Sequence, residues 1–192
     1  LKGPFEPTNE PYAIAKVAGI KMCESYNRQY LRDYRTVIPS NLYGPGDNFN
    51  LNNAHVIPAL IRKMHEAKLR NLKSVSIWGD GSPLREFLYI EDMAEACIFI
   101  MLLDKKTYHC RTSLTQSHIN VGMGRDISIL NLAELIKATI GYKGALIFDK
   151  NKPSGISKKL LDVTLIKSLG WKPKVKLKTG LVKTYDWYLE NY

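Results

Sequence analysis

The segment Pro11-Tyr12-Ala13-Ile14-Ala15-Lys16 places a tyrosine and a lysine four residues apart near the start of the sequence. Proline suits the first turn of a helix, and the residues that follow contain no helix breaker. Side chains four residues apart lie on the same helix face. The spacing therefore predicts a helix over residues 11–31 that presents Tyr12 and Lys16 together.

Such a Tyr–Lys pair has a recognisable chemistry. A free tyrosine has a pKa of about 10 and exchanges protons poorly near neutral pH. A nearby ammonium group favours the phenolate and lowers that pKa. The pair could then exchange a proton with a sugar or alcohol oxygen while hydride moves to or from its carbon. The same spacing also occurs where a tyrosine only packs on a lysine stem, so it does not establish catalysis by itself.

Length and composition favour an α/β protein. The chain has 192 residues, of which 45% are apolar, enough for a domain with a real core. Strand-like and helix-like segments alternate. No apolar run approaches the roughly 20 residues needed to cross a bilayer, so we expect no membrane partner. Cys23 and Cys97 lie within apolar helical patterns and are expected to be core thiols in a reducing cytoplasm. The histidines show no metal-ligand spacing.

The net charge of +10 is spread along the chain. No helix carries a single basic face with interleaved aromatic residues, so nucleic acid is the least favoured partner. Solvated surface lysines explain most of the charge, and a phosphate-bearing ligand explains a few of the basic residues.

Two loops are candidates for ligand binding. A strand over residues 35–38 runs into a turn-rich loop at residues 39–46, where ligands lie in open α/β sheets. A polar loop follows, and His55 stands at the start of a helix predicted for residues 56–69. Helix N-termini lower a histidine pKa and attract phosphate, although a lone histidine there is commonly a capping or surface residue.

Trp78 and Arg85 flank a turn predicted for residues 79–83. They offer a flat apolar face and a planar cation able to pair with phosphate, or they are simply a packing tryptophan and a surface arginine. A helix over residues 91–103 is predicted to bury Met93, Ala94, Cys97, Ile98 and Met101, and residues 108–116 are predicted to form a surface loop. The later predictions are strands at 118–122 and 145–148, helices at 129–140, 162–169 and 177–192, and a loop at 149–159.

Five motifs distributed over the whole chain form one pattern. They are Glu6-Pro7-Thr8-Asn9-Glu10-Pro11-Tyr12-Ala13-Ile14-Ala15-Lys16, Asn41-Leu42-Tyr43-Gly44-Pro45 with Asp47-Asn48-Phe49, His55-Val56-Ile57-Pro58, Trp78-Gly79 with Arg85-Glu86-Phe87, and Lys159-Leu160-Leu161-Asp162. With them the chain resembles the extended short-chain dehydrogenase/reductase family of nucleotide-sugar enzymes. The His-Val-Ile-Pro motif resembles the branch that acts on GDP-sugars.

The resemblance implies a fold and an activity. Residues 1–45 would be the C-terminal piece of an NAD(P)-binding Rossmann domain. Residues 46–192 would be mainly a smaller α/β substrate-binding domain, with segments that return to the Rossmann core. The implied reaction is NADPH-dependent 3,5-epimerisation and 4-reduction of GDP-4-keto-6-deoxy-D-mannose, carried out by a cytoplasmic homodimer that pairs through the Tyr12–Lys16 helix.

The resemblance also implies residue roles. Tyr12 would protonate the C4 oxygen during hydride delivery, Lys16 would lower its pKa and bind the nicotinamide ribose, and His55 would return protons at C3 and C5. The implied NADP(H) contacts are Lys16, Pro39, Ser40, Asn41, Leu42 and His55. The implied substrate contacts are Lys63, Trp78, Arg85, Ser154 and Lys159, and no metal is implied.

The sequence departs from the family at three points. The family commonly has arginine at Lys63 and aspartate at Ser154, so the planar fork and a carboxylate are lost there. Its glycine-rich phosphate loop, catalytic serine and epimerisation cysteine have no counterpart in the sequence. We therefore expect this chain to be the C-terminal part of a longer enzyme and to be inactive alone.

Two alternatives remain open at this stage. A sister nucleotide-sugar epimerase or dehydratase would share the Tyr–Lys pair and differ in base preference. A non-catalytic basic module would bind nucleic acid or a partner protein, with strongly salt-dependent affinity.

Overall fold

The structure is a computed structural model that describes Phe5, residues 7–152 and residues 155–192. The helices of this part are α1 (Glu10–Tyr30), α2 (Val56–Leu69), α3 (Ile90–Leu102), α4 (Lys105–Arg111), α5 (Ile129–Ile140), α6 (Thr164–Ser168) and α7 (Leu177–Asn191), with a 3-10 turn at Pro7–Asn9. The strands are β1 (Val37–Pro39), β2 (Asn41–Tyr43), β3 (Ser74–Trp78), β4 (Leu84–Arg85), β5 (Phe87–Tyr89), β6 (Ile119–Val121), β7 (Ile127–Ser128), β8 (Ala145–Asp149) and β9 (Lys158–Lys159).

Most strands pair in parallel. β1 pairs with β6, β2 with β5, and β3 with β8. β4 lies between antiparallel β7 and parallel β9. Parallel neighbours need long crossover connections, which here include helices: α2 lies between the paired strands β2 and β5, and α3, α4 and α5 lie between β3 and β8. This arrangement is that of an α/β protein.

The core has two parts. The larger cluster joins α2, α5 and α7 to strands β2, β3 and β5, and the smaller joins α3, α6 and β6. Strand β5 contributes to both, because Phe87 and Tyr89 lie in the larger cluster and Leu88 in the smaller. None of the helices in the described residues is long and apolar enough to cross a membrane.

The predicted bounds of the first two long helices are close to those observed. α1 begins one residue before the predicted start, with a proline in its first turn, and α2 has the predicted bounds. The segment predicted as a loop at residues 39–46 is wrong in part, because Asn41–Tyr43 forms β2. The strand predicted at residues 85–90 is divided into β4 and β5, with Glu86 between them.

The surface loop predicted from residue 108 is also wrong at its start. α4 ends at Arg111, and Tyr108 within it is fully buried. The Tyr108 hydroxyl donates to the Ser117 carbonyl oxygen, and the Arg35 guanidinium lies 4.7 Å from its ring centroid. A single aromatic residue within a polar segment gave no periodic signal of this burial.

The predicted inward face of α3 is corrected. The structure buries Met93, Ala96 and Ile100, whereas Ala94 and Cys97 are exposed and Ile98 and Met101 are 53% and 66% exposed. α3 is apolar on most sides, so more than one face satisfies helical periodicity. The predicted burial of Met93 is confirmed, and that of the other four residues is wrong. Cys97 is therefore not a core thiol, and Cys23 is only half-buried.

Two glycines, Gly180 in α7 and Gly19 in α1, allow a test of how closely α7 is packed. A Cβ at Gly180 would overlap the Tyr43 hydroxyl and lie 3.0 Å from Cδ2 of Tyr89, whereas a Cβ at Gly19 in α1 would meet nothing within 4 Å. We expect Gly180→Ala to lower the free energy of unfolding by about 1–3 kcal/mol through overpacking. We expect Gly19→Ala to raise it by about 0.5–1 kcal/mol through helix propensity. Urea unfolding of both variants measures this, and a stabilising Gly180→Ala would contradict the packing described.

Candidate active site

Tyr12 and Lys16 lie together on the first two turns of α1, as the spacing predicted. The Lys16 ammonium lies 5.3 Å from the centroid of the Tyr12 ring, within the range of a cation–π contact. The Tyr12 side chain is 60% exposed. The ammonium and the phenol are thus neighbours on an open surface, where a ligand oxygen can reach the hydroxyl.

The segment Pro39–Leu42 spans the end of β1 and the start of β2. The Ser40 amide donates to the Val121 carbonyl oxygen at 2.9 Å, and the Asn41 side-chain amide donates to the Glu86 carbonyl oxygen at 2.7 Å. The Ser40 hydroxyl oxygen is buried and has no hydrogen-bond partner among the described residues. The backbone is therefore held on both sides, and one polar atom is left for a ligand.

His55 is the N-cap residue of α2, in extended conformation and without a side-chain capping bond. Its loop is built from asparagine hydrogen bonds, such as Asn48 Nδ2 to Asn53 Oδ1 at 2.8 Å. Phe49 is fully buried and anchors the loop, with its ring 4.8 Å from that of Tyr188 in α7. The anchored loop leaves the His55 imidazole exposed.

Asp47 belongs to the Asp47-Asn48-Phe49 motif, which implied no role for it, and its carboxylate interacts with the charge of His55. Its Oδ1 accepts the Asn48 amide at 2.8 Å, whereas Oδ2 is buried without a hydrogen-bond partner among the described residues. Burial raises the pKa of Asp47, and the Asn48 amide and the charge of His55 oppose that rise. A carboxylate and an imidazole thus interact electrostatically at the entry to α2, and the motif that contains the aspartate implied no role for it.

Arg85 and Lys159 form a pair of cations across two strands. They are register partners in the parallel β4–β9 pair, so their side chains project from the same face. Burial lowers the pKa of Arg85, and a Cβ at Gly155 would lie 3.2 Å from its Nη2. Like charges placed opposite each other destabilise a sheet, and an anion between them removes that cost.

Trp78 lies at the end of β3 and is 61% exposed, with the Lys152 ammonium 5.7 Å from its ring centroid. The Lys63 ammonium donates to the Ser76 carbonyl oxygen of the same strand at 3.4 Å. Lys63 and Trp78 are therefore brought to one strand. Lys152 is a further cation that the sequence patterns missed. Ser154 lies outside the described residues.

The structure groups these candidates into separate sets. Pro39–Leu42 is connected to the Arg85–Lys159 pair through Glu86, whose backbone binds Asn41. Within the described ranges, no hydrogen bond or ion pair joins Tyr12 or Lys16 to His55 or Arg85. The same residues contain no group of three or more His, Cys, Asp or Glu side chains that could hold a metal ion.

A sequence family accounts for this fold and these residues. The NAD dependent epimerase/dehydratase family matches residues 1–122, more than half of the 192-residue chain. The chain therefore belongs to the NAD dependent epimerase/dehydratase family. This confirms the predicted Rossmann-like α/β class, whereas the domain boundary at residue 45 stays a prediction.

Individual relatives are more specific. The chain is 56% identical over 191 residues to the GDP-L-fucose synthase of Escherichia coli (strain K12), covering 100% of this chain and 60% of that protein. It is 52% identical over 191 residues to the probable GDP-L-fucose synthase 1 of Oryza sativa subsp. japonica, covering 100% of this chain and 56% of that protein. The crystal structure of a GDP-6-OMe-4-keto-L-xylo-heptose reductase from C. jejuni matches with a TM-score of 0.89 at 35% identity, covering 100% of this chain and 64% of that one. The chain thus spans less than two thirds of the length of these relatives.

The raised pKa of Asp47 gives a pH-dependent prediction. Because its pKa is higher in the folded chain than the ordinary value, the folded state binds the proton more tightly, and stability falls as pH rises through that window. We expect Asp47→Asn to be more stable than the parent chain at pH 7, with the difference shrinking toward pH 4. Urea unfolding across this pH range measures it.

Asp162→Asn is the control with the opposite sign. Asp162 accepts the Thr164 amide at 2.9 Å, and its pKa is lowered by the Thr164 side chain and then by this amide. Its loss should destabilise the chain at pH 7, with the difference closing as pH falls through the lowered pKa. Asp47→Asn that destabilises at pH 7 would contradict the burial of its carboxylate.

The cation pair predicts a diphosphate site. We expect pyrophosphate to raise the melting temperature of the chain, and Lys159→Ala to weaken its binding about tenfold by removing one charged contact. Lys158→Ala is the matched control, because Lys158 is the adjacent strand residue and pairs with Asp126 at 3.2 Å. Thermal unfolding against pyrophosphate concentration decides, and equal losses in the two variants would argue against a site at Arg85–Lys159.

Proposed function

We propose that this chain carries proton-transfer and GDP-binding residues of an NADPH-dependent epimerase/reductase that converts GDP-4-keto-6-deoxy-D-mannose to GDP-L-fucose. The observation that carries the proposal is the Tyr12–Lys16 pair, seated on one helix turn in a chain 56% identical to the E. coli GDP-L-fucose synthase. The paired cations Arg85 and Lys159 support a diphosphate-bearing substrate. Because the chain covers only part of its relatives, the activity is assigned to the protein that contains it.

The reduction requires one proton and one hydride at C4. Tyr12 donates its phenolic proton to the ketone oxygen, which becomes a hydroxyl as the carbon receives hydride. The neighbouring Lys16 ammonium stabilises the phenolate that remains. The open surface around Tyr12 lets the sugar carbonyl reach the hydroxyl, and general acid catalysis of this kind contributes about 10²–10⁴-fold.

The epimerisation requires protons to be removed and returned at C3 and C5. Both carbons are bonded directly to the C4 ketone carbon, which makes their protons acidic, and we assign the return of the proton to His55. Its exposed ring at the entry to α2 can reach a bound sugar. His55 is therefore the acid proposed for this step, and Asp47 is the carboxylate that interacts with it electrostatically.

The GDP moiety is assigned to the second group of residues. Arg85 and Lys159 hold the diphosphate, because two cations on one face of a small sheet match its two negative groups. Trp78 offers an apolar face to the nucleoside, and Lys63 and Lys152 add charge at its edge. Ser154, whose position is not described, remains a predicted contact.

The residues present fit the nicotinamide end of NADP(H). The Ser40 hydroxyl is buried at the end of β1 without a hydrogen-bond partner among the described residues, and Lys16 presents its ammonium beside Tyr12 on α1. Lys16 would bind the ribose, Pro39–Leu42 would line the nicotinamide side, and His55 stays a predicted contact. When bound, NADPH supplies the hydride.

We also propose a cytoplasmic homodimer that pairs through α1. Ile14, Met22 and Tyr26 on that helix are 50%, 59% and 47% exposed, and a second helix would bury them. The three cysteines are unpaired, which suits a reducing compartment.

Activity of the complete gene product tests the function. With GDP-4-keto-6-deoxy-D-mannose as substrate, we expect NADPH oxidation and a loss of kcat of about 10²–10⁴-fold in Tyr12→Phe. KM should change little, because the proton is transferred only in the transition state. Tyr30→Phe on the same helix is the matched control and should keep full activity.

Two results would count against this function. Turnover of a UDP-sugar in place of the GDP-sugar would assign a sister nucleotide-sugar enzyme. Salt-dependent binding of RNA or DNA without GDP binding would indicate a non-catalytic basic module.

A further inference from the structure

Glu86 is a buried carboxylate that the proposed reaction does not use. It is 1% exposed and lies at the break between β4 and β5. One carboxylate oxygen accepts the Gly124 amide at 2.6 Å, and the other accepts the Leu161 amide at 3.0 Å. Both oxygens are thus satisfied by backbone N–H groups from segments far away in the sequence.

The position of these donors connects Glu86 with the cation pair. Leu161 follows Lys159 by two residues, and Glu86 itself follows Arg85. A hydrogen bond from Leu161 to Glu86 therefore fixes the β9 segment against β4 directly beside the Arg85–Lys159 pair. β4 and β9 contain only two residues each. The backbone hydrogen bonds between these two strands are therefore few, and they contribute little to holding two like charges together.

The Gly122–Gly124 turn is fitted to the same carboxylate. A Cβ at Gly122 would overlap Oε1 of Glu86, so only glycine allows this approach. The backbone carbonyl of Glu86 accepts the Asn41 side chain. Three segments thus meet at one residue: the Pro39–Leu42 segment, the glycine turn after β6, and β9.

We propose that Glu86 is a positioning residue that holds the Lys158–Lys159 strand beside Arg85, so that the two cations stay paired for one diphosphate. The inference rests on the proposed GDP-binding function of these cations. The negative charge of Glu86 matters because a carboxylate accepts both N–H donors. A glutamine at this position accepts one and turns its own N–H₂ toward the other.

Asp92 provides a matched control within the same chain. It is 2% exposed, and its two oxygens accept the Lys174 and Val175 amides at 3.1 and 3.0 Å. It therefore has the burial and the bonding of Glu86, but it fixes a segment that carries none of the candidate site residues. Asp92→Asn and Glu86→Gln each remove a carboxylate that accepts two backbone N–H groups. Asp92→Asn does so away from the site.

Calorimetric titration of the chain with GDP and with guanosine tests the proposal. We expect both variants to lower the melting temperature, and only Glu86→Gln to weaken GDP binding, by about tenfold or more. Guanosine lacks the diphosphate, so its affinity should be equal in the parent chain and Glu86→Gln. A merely structural role would weaken GDP binding equally in the two variants, or would weaken guanosine binding as much as GDP binding.

The outcomes separate this inference from the proposed function. A parent chain that binds neither GDP nor guanosine overturns both. If the parent chain binds GDP and the Glu86→Gln and Asp92→Asn variants bind it with equal affinity, the inference is overturned and the proposed function is not.

If Glu86→Gln does not fold, hydrogen exchange on the unmodified chain decides. GDP is expected to slow exchange of the Leu161 and Gly124 amides and to leave those of Lys174 and Val175 unchanged. The inference is overturned if GDP slows exchange of all four amides equally, or if it does not slow exchange of the Leu161 and Gly124 amides.

Discussion

Strand β5 is held between two buried carboxylates, and the rest of the structure depends on that arrangement. Glu86 precedes the strand and Asp92 follows it in the first turn of α3. Glu86 accepts one backbone N–H group from each of two distant segments, and Asp92 accepts two from a single distant segment. Since β5 itself is buried and contributes to both apolar clusters, the carboxylates connect irregular segments to the most buried part of the fold. The segment that carries Lys159 is thereby given a fixed position by Glu86 without a long strand of its own.

The relation between stability and function follows from the charges at the site. Arg85 and Lys159 are like charges in register, and Asp47 holds an unpartnered buried oxygen. Each arrangement costs folding free energy when no ligand is present. Groups of this kind cluster at functional sites because a ligand or a reacting proton relieves the cost. The well-satisfied carboxylate Glu86 adjoins the Arg85–Lys159 pair and stabilises the segment that carries Lys159.

Local features of this fold were predictable from the sequence, whereas long-range ones were not. The bounds of α1 and α2 follow from periodicity and a proline in the first turn, and the Tyr12–Lys16 contact follows from helix geometry. Periodicity failed for α3, because a helix that is apolar on most sides does not identify its inner face. It also failed for α4, where one buried tyrosine decides the packing.

The Arg85–Lys159 register and the bonds of Glu86 join residues far apart in the sequence, and no local pattern encodes them. Asp47 was quoted in a motif but given no role, because an aspartate in an asparagine-rich loop has the composition of an ordinary turn.

The buried Phe49 has a consequence for the entropy of binding. The polar loop between β2 and α2 would sample many conformations if it were held only at its ends. Phe49 contacts Tyr188 and Tyr192. These contacts hold the loop at its middle, so that it consists of two shorter segments, each fixed at both ends. The freedom of the backbone that positions His55 is therefore lost when the protein folds, and less of it remains to be lost when a ligand arrives. The last turn of α7 is remote in sequence from the loop and carries no reactive group. It nevertheless lowers the conformational entropy that the loop has left to lose on binding.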